Sequence, residues 1–339
     1  MISEQPRRWL VTGATGKLGG HVVHQLRMLH PQDEIIAMVG RGSLSQPVTK
    51  CISVSLENPE EIAEFTKREA PSIVLHLGAI SDVNTAFRNQ NRTQKINVGS
   101  TAALVAAARE CDARVVFTST VMVFDGEKSF YTEADATNPL SFYGRTKVEA
   151  EQIVTTHARG TTIRLPLLYG FPTEYDPTQP PTFVQQINAL REGTALTLFA
   201  DEFHSPLWLR DAADALIRVG AEEAPGLFHL AGPQRLSRLD LIAQCATLLD
   251  ITTPNLKKSS RKDVKFPEPR PADMSMRDDQ LRARFADLPQ HALSLESLQP
   301  FHADASLTAA ESATVEKAAT ILQTGTAAQG RASRAAKRA

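Results

Sequence analysis

The tightest constraint on this chain is a glycine-rich turn near its start. In WLVTGATGKLGGHVV, Gly13, Gly16 and Gly19 follow a short β-branched run and open an amphipathic stretch, so they stand between a first strand and a first helix. A glycine at such a turn adopts dihedrals closed to other residues, a second lets backbone approach an anion, and a third lets the helix pack close on the strand. The helix start then offers unpaired N–H groups and the positive end of its dipole. At the first βα junction this triplet predicts a seat for a dinucleotide pyrophosphate, with a purely structural turn as the competing reading.

The pattern that follows supports that placement. β-Branched runs at 9–12, 34–39, 50–55, 73–77, 114–118 and 161–165 alternate with helical patterns near 17–29, 59–69, 94–109 and 142–157, the signature of βαβ units. Near-continuous apolar runs such as IVLHL and RVVFT suit strands of a parallel sheet covered by helices on both faces. After Pro166 the character changes. FPTEYDPTQPPT at 171–182 holds four prolines in twelve residues, which neither a helix nor a central strand accommodates. A helix at 183–191, another from Asp211, a strand at 227–231 and a helix at 237–249 come next. The chain therefore predicts an α/β fold, a doubly wound parallel sheet with a smaller C-terminal lobe. Residues 1–170 and about 208–232 form the dinucleotide domain, and 171–207 with 233–302 form the substrate lobe. Residues 303–339 include 13 alanines and read as a tail without fixed structure.

Composition narrows the function. The 339 residues, at roughly 150 per domain, allow a large core. The 37 basic and 38 acidic residues leave a net charge of -1, so no global field exists to hold nucleic acid or an acidic membrane. Cys51, Cys111 and Cys245 are too scattered for a disulfide framework or a zinc knot. The first apolar segment is too short for a signal peptide, and no run approaches the roughly 20 residues of a membrane span. A cytoplasmic protein without a metal is expected. His21 and His24 share a helix face that reads as solvated.

Two further places carry chemistry. The second strand ends in IIAMVGRG, without the acidic residue that would hydrogen-bond the ribose of NAD; Gly40 and Arg41 instead leave room and a guanidinium for a 2'-phosphate. NADP(H) is thereby favoured over NAD(H), although a solvated arginine is an alternative. In LSFYGRTKVEAEQIV, Tyr143 and Lys147 lie four apart on one helix face. A phenol titrates near 10, and a neighbouring ammonium would lower that value towards one useful for proton transfer. Ser119 and Thr120 stand at a carboxyl end of the sheet, where a hydroxyl can polarise a carbonyl.

Together, TGATGKLG, HLGA at 76–79, FTST and YGRTK resemble the extended short-chain dehydrogenase/reductases. VFDGEKSFYTEADATNPLSFYGRTKVEAE is similar, more narrowly, to their dTDP-4-dehydrorhamnose reductase branch, as are TTIRLPLLYG, GLFHLAG and RPADMSM later on. The resemblance spans about residues 8–290 and implies an NAD(P)-binding Rossmann fold. It makes Tyr143 the general acid, Lys147 its pKa modifier and ribose anchor, Thr120 the carbonyl-polarising hydroxyl, and Asn97 part of a proton relay. The cofactor would be lined by Gly13, Thr15, Gly16, Lys17, Leu18, Arg41, Gly78, Ala79 and Pro166. The nucleotide-sugar substrate would meet Ser119, Met122, Phe124 and Arg270. A homodimer is the assembly to be considered. The branch usually follows its threonine with Asp-Tyr, where this chain has Val121 and Met122, which also disfavours the sister 4,6-dehydratases. Ser55 stands where the family has aspartate. Two alternatives stay open: a nucleotide-sugar epimerase, and a regulatory subunit resembling the methionine adenosyltransferase beta subunit.

Overall fold

In a computed structural model of the chain, residues 6–40, 44, 46–175, 182–294 and 298 are described. Arg41, residues 176–181 of the proline-rich stretch and the tail 303–339 lie outside them. The first half alternates strand and helix: β1 (Arg8–Thr12), α1 (Lys17–Leu29), β2 (Glu34–Val39), β3 (Lys50–Ser53), α2 (Pro59–Glu69) and β4 (Ile73–His76). Next come α3 (Val83–Arg88), α4 (Gln90–Gln94), a π-turn (Lys95–Gly99), α5 (Ser100–Glu110), β5 (Arg114–Thr120), α6 (Phe142–Thr155) and β6 (Gly160–Leu165).

Beyond Pro166 the elements shorten. β7 (Leu168–Tyr169), α7 (Thr182–Arg191), β8 (Leu196–Phe199), β9 (Phe203–His204) and β10 (Leu207–Trp208) precede α8 (Leu209–Glu222) and β11 (Gly226–His229). β12 (Leu236–Ser237), α9 (Arg238–Leu248), β13 (Leu256–Ser259), β14 (Asp273–Met274) and α10 (Asp279–Arg284) follow.

The main sheet has seven strands in the order β11-β6-β5-β4-β1-β2-β3, every pair parallel. This is the expected doubly wound α/β architecture. Strand order reverses between β1 and β4, and ligands of such sheets bind in the crevice at that point. Alternate strand residues face opposite ways. Trp9, Val11, Ile35 and Ala37 pack with Val22, Leu26 and Leu216 from α1 and α8, whereas Leu10, Ile36, Val74 and Phe117 pack with Ile62, Leu104 and Val154 from α2, α5 and α6. Burial on both faces explains why these strands read as continuous apolar runs. In the lobe, Phe183 and Ile187 of α7 pack on Leu198 of β8 and on Ile242 and Cys245 of α9.

Two expectations need correction. The helix foreseen over 94–109 is split: α4 passes into a π-turn at Lys95–Gly99 before α5 begins, and Asn97 lies within the widened turn. The His21/His24 face is only partly solvated, His21 being buried and His24 half-exposed. The Nε2 of His21 meets the Phe171 carbonyl at 2.7 Å, and the Nδ1 of His24 meets Glu174 at 2.8 Å, so the segment after β7 covers that side of α1. Among the described residues no helix is long and apolar enough to cross a membrane.

Candidate active site

The crevice at the strand-order reversal is built by backbone closeness. Gly13, at φ +66°, lies so near Gly78 that a Cβ on it would stand 2.8 Å from the Gly78 Cα and N. A Cβ on Gly78 would in turn stand 2.6 Å from a Leu56 methyl. Gly19 lets α1 settle on the turn, for a Cβ there would fall 2.1 Å from the Gly13 oxygen. Gly16 is the N-cap of α1 and supplies no side-chain cap, leaving the helix-start amides of Lys17 and Leu18 for a ligand. Thr15 and Leu18 border this opening half-buried, with Lys17 exposed. The turn, β4's end and Ala79 thus form one cradle.

A buried hydrogen-bond chain lies beneath it. The Thr12 hydroxyl accepts from the N–H groups of Leu77 and Gly78, each at 3.1 Å, and faces His76 Nδ1 at 2.8 Å. His76 Nε2 faces the Thr101 hydroxyl at 3.0 Å, which donates to the Asn97 carbonyl at 2.7 Å. Because Thr101 spends its proton on that carbonyl, only a neutral His76 with its proton on Nε2 satisfies every partner. Burial, with the charge of Lys147 nearby, pushes His76 down to about 3, so it stays neutral.

The three expected catalytic groups converge at the ends of β5 and α6. Thr120, Tyr143 and Lys147 are all buried. Thr120 caps the turn after β5 by accepting from the Met122 N–H at 3.1 Å, and its side chain lies near enough to the Tyr143 phenol to favour the phenolate. Ser141 starts α6 by accepting from the Gly144 N–H at 3.1 Å. Gly144 is required there, since a Cβ would meet the Met122 carbonyl oxygen at 2.4 Å. Tyr143 reaches Thr120 because that glycine lets the helix abut the strand end.

Electrostatics depart from expectation. Burial pushes Tyr143 up to about 12, against the pull of Thr120, so the phenol is protonated rather than lowered by its lysine. Lys147 is desolvated too: burial brings it down to about 7, partly offset by Glu151. Its ammonium lies 4.0 Å from the centroid of the Phe117 ring, a cation–π contact. The site therefore holds a protonated acid beside a lysine that titrates near neutrality.

Other candidates divide. Asn97 is clamped: its oxygen accepts from the Ile80 N–H at 2.8 Å, and its amide donates to the Ile80 carbonyl at 3.1 Å and to Thr146 at 3.0 Å. The side chain thus braces α6 against the segment after β4. Pro166 is buried at the end of β6, and Met122 is half-buried beside Thr120. Ser119 and Phe124 have partners within the protein. The Ser119 hydroxyl donates to Glu151, so its proton is not free for a substrate. Phe124 is fully buried, stacked on Tyr131 at 4.1 Å between centroids. Ser55 accepts from the Glu57 N–H at 3.2 Å in the turn that leads to α2. Arg270 lies in the lobe over the Phe266 ring at 4.4 Å and 3.4 Å from Glu202.

A family model described as the RmlD substrate binding domain matches residues 7–298. The chain belongs to that family. This member is 29% identical over 280 residues to a Streptomyces antibioticus protein named probable dTDP-4,6-dihydroxy-2-methyloxan-3-one 4-ketoreductase, covering 81% of this chain and 88% of the relative. It is 24% identical over 257 residues to the rat (Rattus norvegicus) methionine adenosyltransferase 2 subunit beta, covering 74% and 75%. Among solved structures, a dTDP-4-dehydrorhamnose reductase from Clostridium acetobutylicum superposes with a TM-score of 0.73 at 26% identity, covering 86% of this chain and 97% of the other. A Bacillus anthracis dTDP-4-dehydrorhamnose reductase in complex with NADP shares the fold, with a TM-score of 0.74 at 20% identity over 87% and 98%.

Sequence reasoning missed four buried groups, His76, Arg164, Glu151 and Glu202, and the first three left a visible sign. His76 is a polar residue inside the apolar run IVLHL. Arg164 interrupts β6 in TTIRLP, and Glu151 follows Lys147 by one helical turn. Glu202 is buried yet charged: burial opposes its ionisation, but the His204 hydrogen bond and the charges of His204, Arg238 and Arg270 hold its carboxyl at about 2. Polar residues inside apolar stretches are partnered when buried, and that rule is the signal that finds them.

Proposed function

We propose that this protein catalyses the NADPH-dependent reduction of the 4-keto group of a nucleotide-activated deoxysugar, closest in kind to dTDP-4-dehydrorhamnose going to dTDP-rhamnose. The observation that carries the proposal is the convergence of three buried side chains, Thr120, Tyr143 and Lys147, at the ends of β5 and α6, where burial keeps the Tyr143 phenol protonated. The enzyme class, an NAD(P)-dependent oxidoreductase, follows from family membership joined to this intact set.

The cradle fits the cofactor, because the close approach of Gly13 and Gly78 keeps the turn free of side chains and α1 begins without a side-chain cap. Gly13, Thr15, Gly16, Lys17 and Leu18 would hold the pyrophosphate, Gly78 and Ala79 the adenosine side, and Pro166 the nicotinamide. Arg41 would read the 2'-phosphate. When bound, the nicotinamide supplies a hydride to the carbonyl carbon. Thr120 polarises the carbonyl, and Tyr143 gives its phenolic proton to the oxygen. Lys147, when charged, anchors the ribose hydroxyls and stabilises the phenolate left behind. Asn97 holds α6 in register for this transfer. In the lobe, Arg270 is the candidate ligand for the nucleotide's phosphates, with Glu202 fixing its position, and Met122 borders the sugar. A cytoplasmic location and a homodimer complete the proposal.

NADPH mixed with dTDP-4-dehydrorhamnose and the purified protein, followed at the nicotinamide absorbance with NADH in parallel, tests the reading. Consumption at an enzymatic rate, faster with NADPH, is expected. The similarity to the methionine adenosyltransferase beta subunit favours a second reading, an NADP-binding regulatory subunit. NADPH binding without turnover of any keto sugar would select it, and turnover excludes it as the principal role.

A further inference from the structure

Behind Lys147 lies a charged group that the catalytic proposal does not use. Glu151, one turn further along α6, is buried and accepts from Arg164 Nε at 2.9 Å and Nη2 at 2.7 Å, as well as from Ser119. The pair is two-pronged, and the Arg164 side chain is 4% exposed against 10% for Glu151. Arg164 sits 5.0 Å over the Phe124 ring and 3.4 Å from His229. A buried carboxylate and guanidinium seldom add net stability over an apolar pair of the same volume, so this one invites a reason other than stability.

We propose that Glu151 is a positioning residue for the reaction: its carboxylate, fixed by Arg164 and Ser119, provides the negative charge that lets the buried Lys147 keep its proton. This inference rests on the reductase reading for its consequence in turnover, but not for its electrostatics.

The surroundings of Lys147 contain no other source of that charge among the described residues. On α6, Tyr143 faces it as a neutral phenol. From β5 comes the Phe117 ring, whose face attracts a cation only weakly in comparison. From β4 comes His76, held neutral by its hydrogen bonds and burial. Behind Glu151, β6 contributes the Arg164 cation, and β11 contributes His229, which burial and the charge of Arg164 push down to about 4. Glu151 alone favours the ammonium, while Arg164 both orients Glu151 and offsets its field. Removing the Glu151 charge and removing the Arg164 cation should therefore move Lys147 in opposite directions.

Opposite shifts are the test. The Lys147 13Cε resonance is followed against pH in protein carrying 13C-labelled lysine, assigned with Lys147→Arg, without substrate. Glu151→Gln should move the titration midpoint acidward by roughly one pH unit or more, and Arg164→Gln should move it alkaline by a similar amount. Glu151→Asp, which retains the charge, should recover most of the wild-type midpoint. In turnover, the alkaline limb of kcat/KM should follow the same directions. Midpoints that stay at the wild-type value in folded Glu151→Gln or Arg164→Gln protein, or that move the same way in both, overturn the proposal. Shifts as expected in protein that turns over no keto sugar would uphold it while the reductase reading fails.

Discussion

Gly13 and Gly78 meet backbone to backbone where the order of the sheet reverses, with no room for a side chain between them. Gly13→Ala combines a left-handed backbone, costing roughly 1–2 kcal/mol for an L-residue, with a collision against Gly78. The variant should lose stability by at least that amount in urea unfolding and should bind NADPH at least roughly tenfold more weakly by fluorescence titration. Wild-type affinity in the variant would show that this contact does not shape the cofactor seat.

Tyr143→Phe removes the proton donor and little else. Turnover should fall roughly 100-fold or more, while the NADPH dissociation constant stays within about twofold. A variant that turns over at the wild-type rate would take the phenol out of the mechanism.

Because burial places Lys147 near 7 and Tyr143 near 12, loss of the lysine proton comes first as pH rises. In the direction of keto reduction, kcat/KM, which reports free-enzyme groups, should decline above neutrality with a midpoint near that of Lys147. A profile flat to pH 10 would mean that the charged lysine is not required.

Glu202 links the lobe to acid stability. Its carboxyl is held at about 2 against an ordinary 4.5, a depressed value in the folded state. The stabilisation is therefore complete above about 4.5 and is lost as pH falls through about 2, amounting to about 3 kcal/mol. Glu202→Gln should be less stable than wild type by roughly this amount at pH 7, with the gap closing as pH falls towards 2. An equal gap in urea midpoints at pH 7 and pH 2.5 would contradict the assignment.

Much of this fold is legible in the residues because each level repeats the same message. The strands at 34–39 and 73–77 and the helices at 17–29 and 59–69 are found within a residue or two of where periodicity puts them, since parallel strands buried on both faces leave an unbroken apolar record. Asn58 and Pro59 mark the start of α2 for the same local reason. The π-turn around Asn97 left no such record, because one extra residue per turn barely disturbs a hydrophobic stripe. The internal engagement of Ser119 and Phe124 is not legible in the sequence, since their partners, Glu151, Arg164 and Tyr131, come from other segments. The raised pKa of Tyr143 is not legible because proximity to a lysine is written in the sequence, whereas burial is a property of the packed site.

The account stands most directly on where the hydride and proton go. With dTDP-4-dehydrorhamnose and NADPH deuterated at the transferring C4 position, the product sugar should carry one deuterium at its own C4, seen as a gain of one mass unit and loss of the C4 proton signal. Product whose C4 hydrogen derives from solvent, or unchanged NADPH beside epimerised sugar, would contradict it.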